Sequence, residues 1–305
     1  CALPICLARF VAGRAVNVVL AGGGARGFAH IGVLRALKEA NVPFDYVGGT
    51  SMGGIIAAGV AMEWDIDELI VRVKRAFVDT NPLSDFTFPL IALTRGAKVS
   101  RLLREQFGDV RIEDMAKPYF CVSADLTTGR DFVHRSGPVW RALRASVALP
   151  GILPPVVEGG HLLVDGGVMN NLPVDVMAEE ARGPIIAVDV SGEIDLRARD
   201  PKYGERPIWS LVAQRMAGSP SLISILMRAG TVGSTAQRRI MRDQADFLFE
   251  PPLRGIGMGD WKSCDHAIAQ GYAHAVVEIE KKGVPLSDTW TAGPALAIDH
   301  RSASV

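Results

Sequence analysis

The sequence predicts a three-layer α/β fold, with a mainly parallel central sheet and helices on both faces. Two stretches carry that reading. The β-branched run at 15–20 (AVNVVL) breaks into the glycine-rich segment 21–27, then into a helical pattern with Phe28, Ile31, Leu34 and Leu37 three residues apart. The apolar lead-in at 44–47 runs into Gly49-Thr50-Ser51-Met52-Gly53 and then into a small-residue helix at 54–62. Strand, tight turn and helix repeated in this way build a parallel sheet, and right-handed crossovers place both turns at one sheet edge.

The first turn admits several chemistries. Gly22, Gly24 and Gly27 fit G-x-G-x-x-G, with Asp45 following 18 residues later, which superficially satisfies a dinucleotide fingerprint. In such a unit the acid sits at the C-terminal end of the second strand, whereas Asp45 lies at the start of its strand. No G-x-x-x-x-G-K-[ST] occurs, so a phosphate-binding P-loop is excluded. Two readings stay open: a tight turn that binds nothing, and an oxyanion hole, whose backbone donors approach a small reacting carbonyl and need residues without Cβ.

The second turn matches G-x-S-x-G, the nucleophile elbow, in which a serine stands on a strained strand-to-helix turn. Gly49 and Gly53 flank Ser51 where a Cβ would collide with neighbouring backbone. Alone the pentapeptide is also compatible with an ordinary glycine-rich turn.

Further along, 65–78 reads as an amphipathic helix and 81–94 as an irregular run with Phe86, Phe88 and Leu93, a lid or surface loop. A strand at 119–124 ends in the polar turn 125–129. A helix at 140–147 precedes the apolar, proline-stiffened segment 148–155, which cannot form a regular helix or central strand and so packs under the fold or lines something. The strand at 161–164 delivers Asp165 at its C-terminal end, with Gly166 and Gly167 permitting a sharp exit and Asn170 and Asn171 holding the turn. A helix at 174–182, a buried strand at 184–190, an edge strand at 247–250 and a closing helix at 266–282 follow, with long amphipathic stretches at 208–241.

Composition narrows the function classes. The 305 residues carry 33 basic and 33 acidic side chains, so nothing in the charge points to nucleic acid. The hydrophobic fraction is 48%, yet no run of 18 apolar residues spans a membrane. Cys1, Cys6, Cys121 and Cys264 lack metal-ligand spacing and read as reduced thiols of a cytosolic-type protein. Cys1 is expected to be a fragment start within a longer chain rather than a processed terminus.

A serine hydroxyl needs a base to take its proton. His30 lies inside the first helix as a packed or capping residue, and His161 sits at the far end of the strand from Asp165. The reading left is a Ser51–Asp165 dyad.

GGGARGFAHIGVLRAL, then GTSMGG, then Asp165-Gly166-Gly167 within LLVDGGVMNNLPV resemble, in motif and order, the patatin-like phospholipase family, and within it the bacterial relatives of neuropathy target esterase. The resemblance implies the three-layer patatin-like fold and a serine lipid acyl hydrolase, a lysophospholipase or phospholipase of lipid catabolism. Ser51 is then the nucleophile and Asp165 the general base. Gly22, Gly23, Gly24, Ala25, Arg26 and Gly27 form the oxyanion loop, Gly49, Thr50, Met52 and Gly53 the elbow, and Gly166 and Gly167 complete the aspartate motif. Leu149, Pro150, Ile152 and Leu153 contribute to the acyl pocket. No metal or cofactor is expected. The partner is a phospholipid or lysophospholipid at the face of a membrane, for a cytoplasmic, peripherally membrane-associated protein, with cyclic-nucleotide-binding modules upstream in the full-length chain. Acyl transfer through the same acyl-enzyme, or a non-catalytic anion- or nucleotide-binding regulatory module, are the alternatives. The expected organisation is an interdomain segment at 1–14, the patatin-like catalytic core at 15–191, a helical extension packing on the core at 192–290 and a flexible tail at 291–305.

Overall fold

The computed structural model describes residues 3–88, 91–192 and 239–283. Of the amphipathic stretches expected at 208–241, residues 208–238 lie outside them, as does the tail from 291. Helix α1 (Leu3–Val11) precedes β1 (Asn17–Leu20), which leads through a 3₁₀ turn (Gly24–Phe28) into α2 (Ala29–Glu39). β2 (Tyr46–Thr50) passes through Ser51 into α3 (Met52–Ala61). α4 (Ile66–Val73) starts where the Asp65 carboxylate accepts the Glu68 amide, 2.7 Å away, and widens into a π-helical turn (Lys74–Asp79). Then come α5 (Ala97–Phe107), β3 (Tyr119–Asp125), β4 (Arg130–His134), α6 (Val139–Ser146), β5 (Val156–Glu158) and β6 (His161–Asp165). α7 (Val174–Glu180), β7 (Ile185–Val188), β8 (Phe247–Phe249) and α8 (Cys264–Lys282) complete the described fold.

The eight strands form one sheet in the order β5-β6-β3-β2-β1-β7-β8, with β4 on β3. Successive residues of a strand point to opposite faces, so each central strand feeds two cores. Val18, Leu20, Val47, Cys121, Ile186 and Val188 face the larger one, with the apolar sides of α2, α3 and α6. Val19, Tyr46, Phe120, Val122, Ile185 and Ala187 face the smaller one, closed by Val174, Val176 and Met177 of α7. That is the three-layer arrangement expected, in a mixed sheet of mostly parallel strands.

α8 lies directly across α2. A Cβ on Gly32 would fall 2.0 Å from the Ile268 carbonyl oxygen, and one on Gly271 would fall 2.1 Å from that of Ala29. Such a crossing excludes any larger side chain at either position. α1 is pinned by Arg9, whose guanidinium grips the buried Asp45 carboxylate at 2.5 and 2.7 Å. Asp45 also accepts the Val16 amide at 3.0 Å. The acid that follows the glycine loop by 18 residues therefore ties α1 to the sheet.

One feature of the sheet departs from the parallel expectation and positions the site. β2 pairs with β3 in parallel as far as Thr50 opposite Val122, and β6 pairs with the same strand antiparallel from Asp165 opposite Ser123 onward. The C-terminal ends of β2 and β6 thus meet head-on, and Asp165 reaches Ser51 from the opposite direction rather than alongside it.

Candidate active site

Ser51 stands at the junction of β2 and α3 with φ 54° and ψ −122°, a conformation that costs a residue bearing a Cβ about 1–3 kcal/mol. The turn is tight because β1 lies against it: a Cβ on Gly53 would fall 2.2 Å from the Leu20 carbonyl oxygen. Around the turn, hydrogen bonds over-determine the strained residue. The Ser51 amide donates to Ser146 Oγ at 2.9 Å, and Ser146 Oγ donates to the Val122 carbonyl at 2.6 Å. Thr50 Oγ1 donates to the Asn170 carbonyl at 2.8 Å.

The Ser51 hydroxyl donates to Asp165 Oδ2 at 2.7 Å, while Asp165 Oδ1 accepts the Gly167 amide at 2.8 Å. Burial pushes the Asp165 carboxyl up to about 6, against the lowering pull of those two donors. His30 and His161 are engaged elsewhere. His30 is fully buried, held neutral by burial with its pKa down to about 4, and its Nε2 bonds the Ala21 carbonyl at 2.8 Å. His161 Nδ1 bonds Asp125 at 2.7 Å.

The glycine loop divides by function. The Gly22 amide donates to the Asn171 carbonyl, the Ala25 amide to the Met258 carbonyl and the Arg26 amide back to Gly23. The amides of Gly23 and Gly24 donate to no other group among the described residues. Gly24 has φ +55°, and a Cβ there would fall 2.3 Å from the Met258 carbonyl oxygen, so only glycine fits. Arg26 is braced by its Nε–H bond to the Ile256 carbonyl at 2.7 Å, and Gly27 lies buried against Met52. The segment after Asp165 laces the three pieces together. Asn171 Nδ2 donates to the Gly22 carbonyl at 3.0 Å, and Gly166 is crowded against the Val122 carbonyl and Thr50.

Ser51 and Gly24 open onto a cavity of about 340 Å³ whose wall is largely apolar. Ile55 of α3, Val73, Ala76 and Phe77 of the α4 region, and Val99, Leu102, Leu103 and Phe107 of α5 line it. Leu149, Ile152 and Leu153 line it as well, whereas Pro150 does not. The loop at 81–94 contributes Leu83, Phe86 and Leu93, and the C-terminal region contributes Met258 and Trp261.

Sequence reasoning missed Ser146, Met258 and Trp261. Ser146 carried a signal: it follows Val139, Ala142 and Leu143 at helical spacing, a polar residue on the buried stripe of α6. Met258 carried none, since its part is a main-chain carbonyl more than two hundred positions from the loop it meets. No group of three or more histidine, cysteine, aspartate or glutamate side chains among the described residues forms a metal cluster.

The sequence model of the family described as patatin-like phospholipase matches residues 18–178, from β1 through the elbow and the aspartate motif. The chain belongs to the patatin-like phospholipase family. An uncharacterized NTE family protein of Mycobacterium tuberculosis is 41% identical over 276 residues, covering 87% of this chain and 46% of the relative. The lysophospholipase NTE1 of Eremothecium gossypii is 34% identical over 318 residues, covering 98% of this chain and 21% of its own length. That of Aspergillus fumigatus is 36% identical over 287 residues, covering 90% and 19%. The chain thus spans less than half the length of these curated relatives. Among solved structures, VipD from Legionella pneumophila superimposes with a TM-score of 0.47 at 14% identity, covering 88% of this chain and 67% of VipD. Family and fold are those expected from the three motifs.

Proposed function

We propose that this region is a serine lipid acyl hydrolase, cleaving the carboxylic ester of a lysophospholipid or phospholipid through an acyl-Ser51 intermediate. The observation that carries the reading is the 2.7 Å Ser51–Asp165 hydrogen bond at one end of an apolar cavity. The curated fungal relatives are named lysophospholipases, which agrees with it.

Asp165 Oδ2 accepts the Ser51 proton as Oγ attacks the ester carbon. The carbonyl oxygen becomes an oxyanion and takes hydrogen bonds from the Gly23 and Gly24 amides, which have no competing acceptor among the described residues. On collapse the ester C–O bond breaks and the leaving alcohol oxygen takes the proton held by Asp165. The carboxylate then removes a proton from water, whose oxygen attacks the acyl carbon. The second collapse returns the proton to Ser51 Oγ and releases the fatty acid. The apolar wall receives the acyl chain and keeps competing water from Asp165, which is only 2% exposed.

The lipid substrate proposed for the cavity places the reaction at the face of a membrane, and among the described residues no helix is long and apolar enough to cross one. The greater length of the relatives leaves room for the cyclic-nucleotide-binding modules expected from the resemblance.

A fluorophosphonate probe followed by peptide mass spectrometry tests the nucleophile. Label on the peptide bearing Ser51, lost in Ser51→Ala, is the expected result. A folded protein that takes no label would return the glycine loop to the anion-binding reading.

A further inference from the structure

Residues 85–88 and 91–95 are two short arms of a hairpin that pair antiparallel. Phe86 bridges Thr94, the Thr87 amide donates to the Leu93 carbonyl at 3.0 Å, and the Arg95 amide donates to that of Asp85 at 3.0 Å. Its returning arm is fastened to the segment that lines the cavity. The Leu93 amide donates to the Gly151 carbonyl at 2.9 Å, and the Thr94 amide and hydroxyl both donate to Ile152. The base of the hairpin is therefore fixed. Its outer surface is bare: Phe86, Phe88 and Ile91 are 73%, 78% and 74% exposed. One exposed apolar side chain is ordinary, but three large ones on one hairpin mark an interaction surface. Phe86 also lines the cavity that holds Ser51, so the bare patch and the substrate space are continuous.

We propose that this hairpin docks the protein on a lipid surface, with Phe86, Phe88 and Ile91 entering the interfacial layer beside the mouth of the cavity. The proposal rests on reading that cavity as a lipid hydrolase site. The attraction is apolar, because the hairpin carries one acid, Asp85, and one base, Arg95, and the whole chain has zero net charge. A zwitterionic phosphatidylcholine surface suffices, and salt does not release it. Aromatic side chains at the interface of membrane and water are suited to such a layer.

The test is a Phe88→Ser, Ile91→Ser double variant of this chain, which leaves the cavity-lining Phe86 in place. Co-sedimentation with phosphatidylcholine vesicles is measured at about 0.1 M and about 1 M salt. Release of fatty acid from lysophosphatidylcholine carried in the vesicles and turnover of the soluble ester p-nitrophenyl butyrate are measured in parallel. The wild type is expected to bind equally at both salt concentrations. The variant is expected to partition about tenfold or more weakly, with vesicle-borne hydrolysis falling in step and soluble-ester turnover unchanged. Vesicle binding by the variant equal to that of the wild type overturns the proposal. So does a wild-type dimer that the variant dissociates while neither protein binds vesicles, since the hairpin then covers a second copy. If binding differs as expected but neither protein cleaves any ester, the docking surface stands and the hydrolase reading falls.

Discussion

Ser146 Oγ stands between the Ser51 amide, 2.9 Å away, and the Val122 carbonyl, 2.6 Å away, so a side chain from α6 holds the strained residue of the elbow to the central strand. Both its hydrogen-bonding roles are used in a fully buried place. Ser146→Ala leaves a buried amide and a buried carbonyl without partners. We expect a loss of about 1–3 kcal/mol of stability and a fall of about 10²-fold in the rate of fluorophosphonate labelling as Ser51 shifts. Thermal unfolding and labelling kinetics check the two effects separately.

The pH dependence follows from Asp165. As the proposed acceptor of the Ser51 proton it must be ionised, so kcat/KM is expected to rise with pH through an inflection near its pKa of about 6 and then to level off. A rate that is flat from pH 5 to 8 would remove Asp165 from the role of base.

The same carboxyl sets an opposite trend in stability. Its folded pKa lies above the unfolded value, so the folded state binds the extra proton, and stability falls as pH rises from about 4 through about 6. Asp165→Asn removes the buried charge. The variant is expected to be more stable than the wild type by up to about 3 kcal/mol at pH 8, with the difference shrinking toward pH 4. Thermal melts across that range decide it.

Gly24→Ala places a Cβ on a residue with φ +55°, 2.3 Å from the Met258 carbonyl oxygen. The loop must move, and the proposed oxyanion donors move with it. We expect kcat to fall about 10²-fold or more while the variant stays folded. Stopped-time assays on a soluble ester, with circular dichroism as the folding control, measure this.

The cavity wall bears on chain length. Ile55 of α3 and Trp64, which is stacked on Phe107 with ring centroids 5.1 Å apart, both line the cavity onto which Ser51 opens. Ile55→Trp, one turn from Ser51, is expected to shift preference to short chains, and Trp64→Ala to longer ones. A series of fatty acyl esters reads the optimum directly.

Much of this arrangement was legible in the residues because the chemistry is concentrated in short contiguous motifs. The strand, turn and helix units at Gly22–Gly27 and Gly49–Gly53 combine a change of hydrophobic period with glycines at fixed places, and both signals are local. The direction of β6 was not legible, since alternation looks the same whether a strand runs parallel or antiparallel to its neighbour. Nor was the pairing of 85–88 with 91–95. Its register is set by bonds to Gly151 and Ile152, far away in the chain, rather than by its own pattern. The closure of the glycine loop by Ile256 and Met258 depends on main-chain carbonyls, which no residue type announces.

The most direct measurement is fatty acid release from lysophosphatidylcholine by the wild type, Ser51→Ala and Asp165→Asn, each verified as folded. An active wild type with both folded variants reduced to background is the expected result. Full activity in Ser51→Ala, or in Asp165→Asn at pH 7, would contradict the proposed dyad.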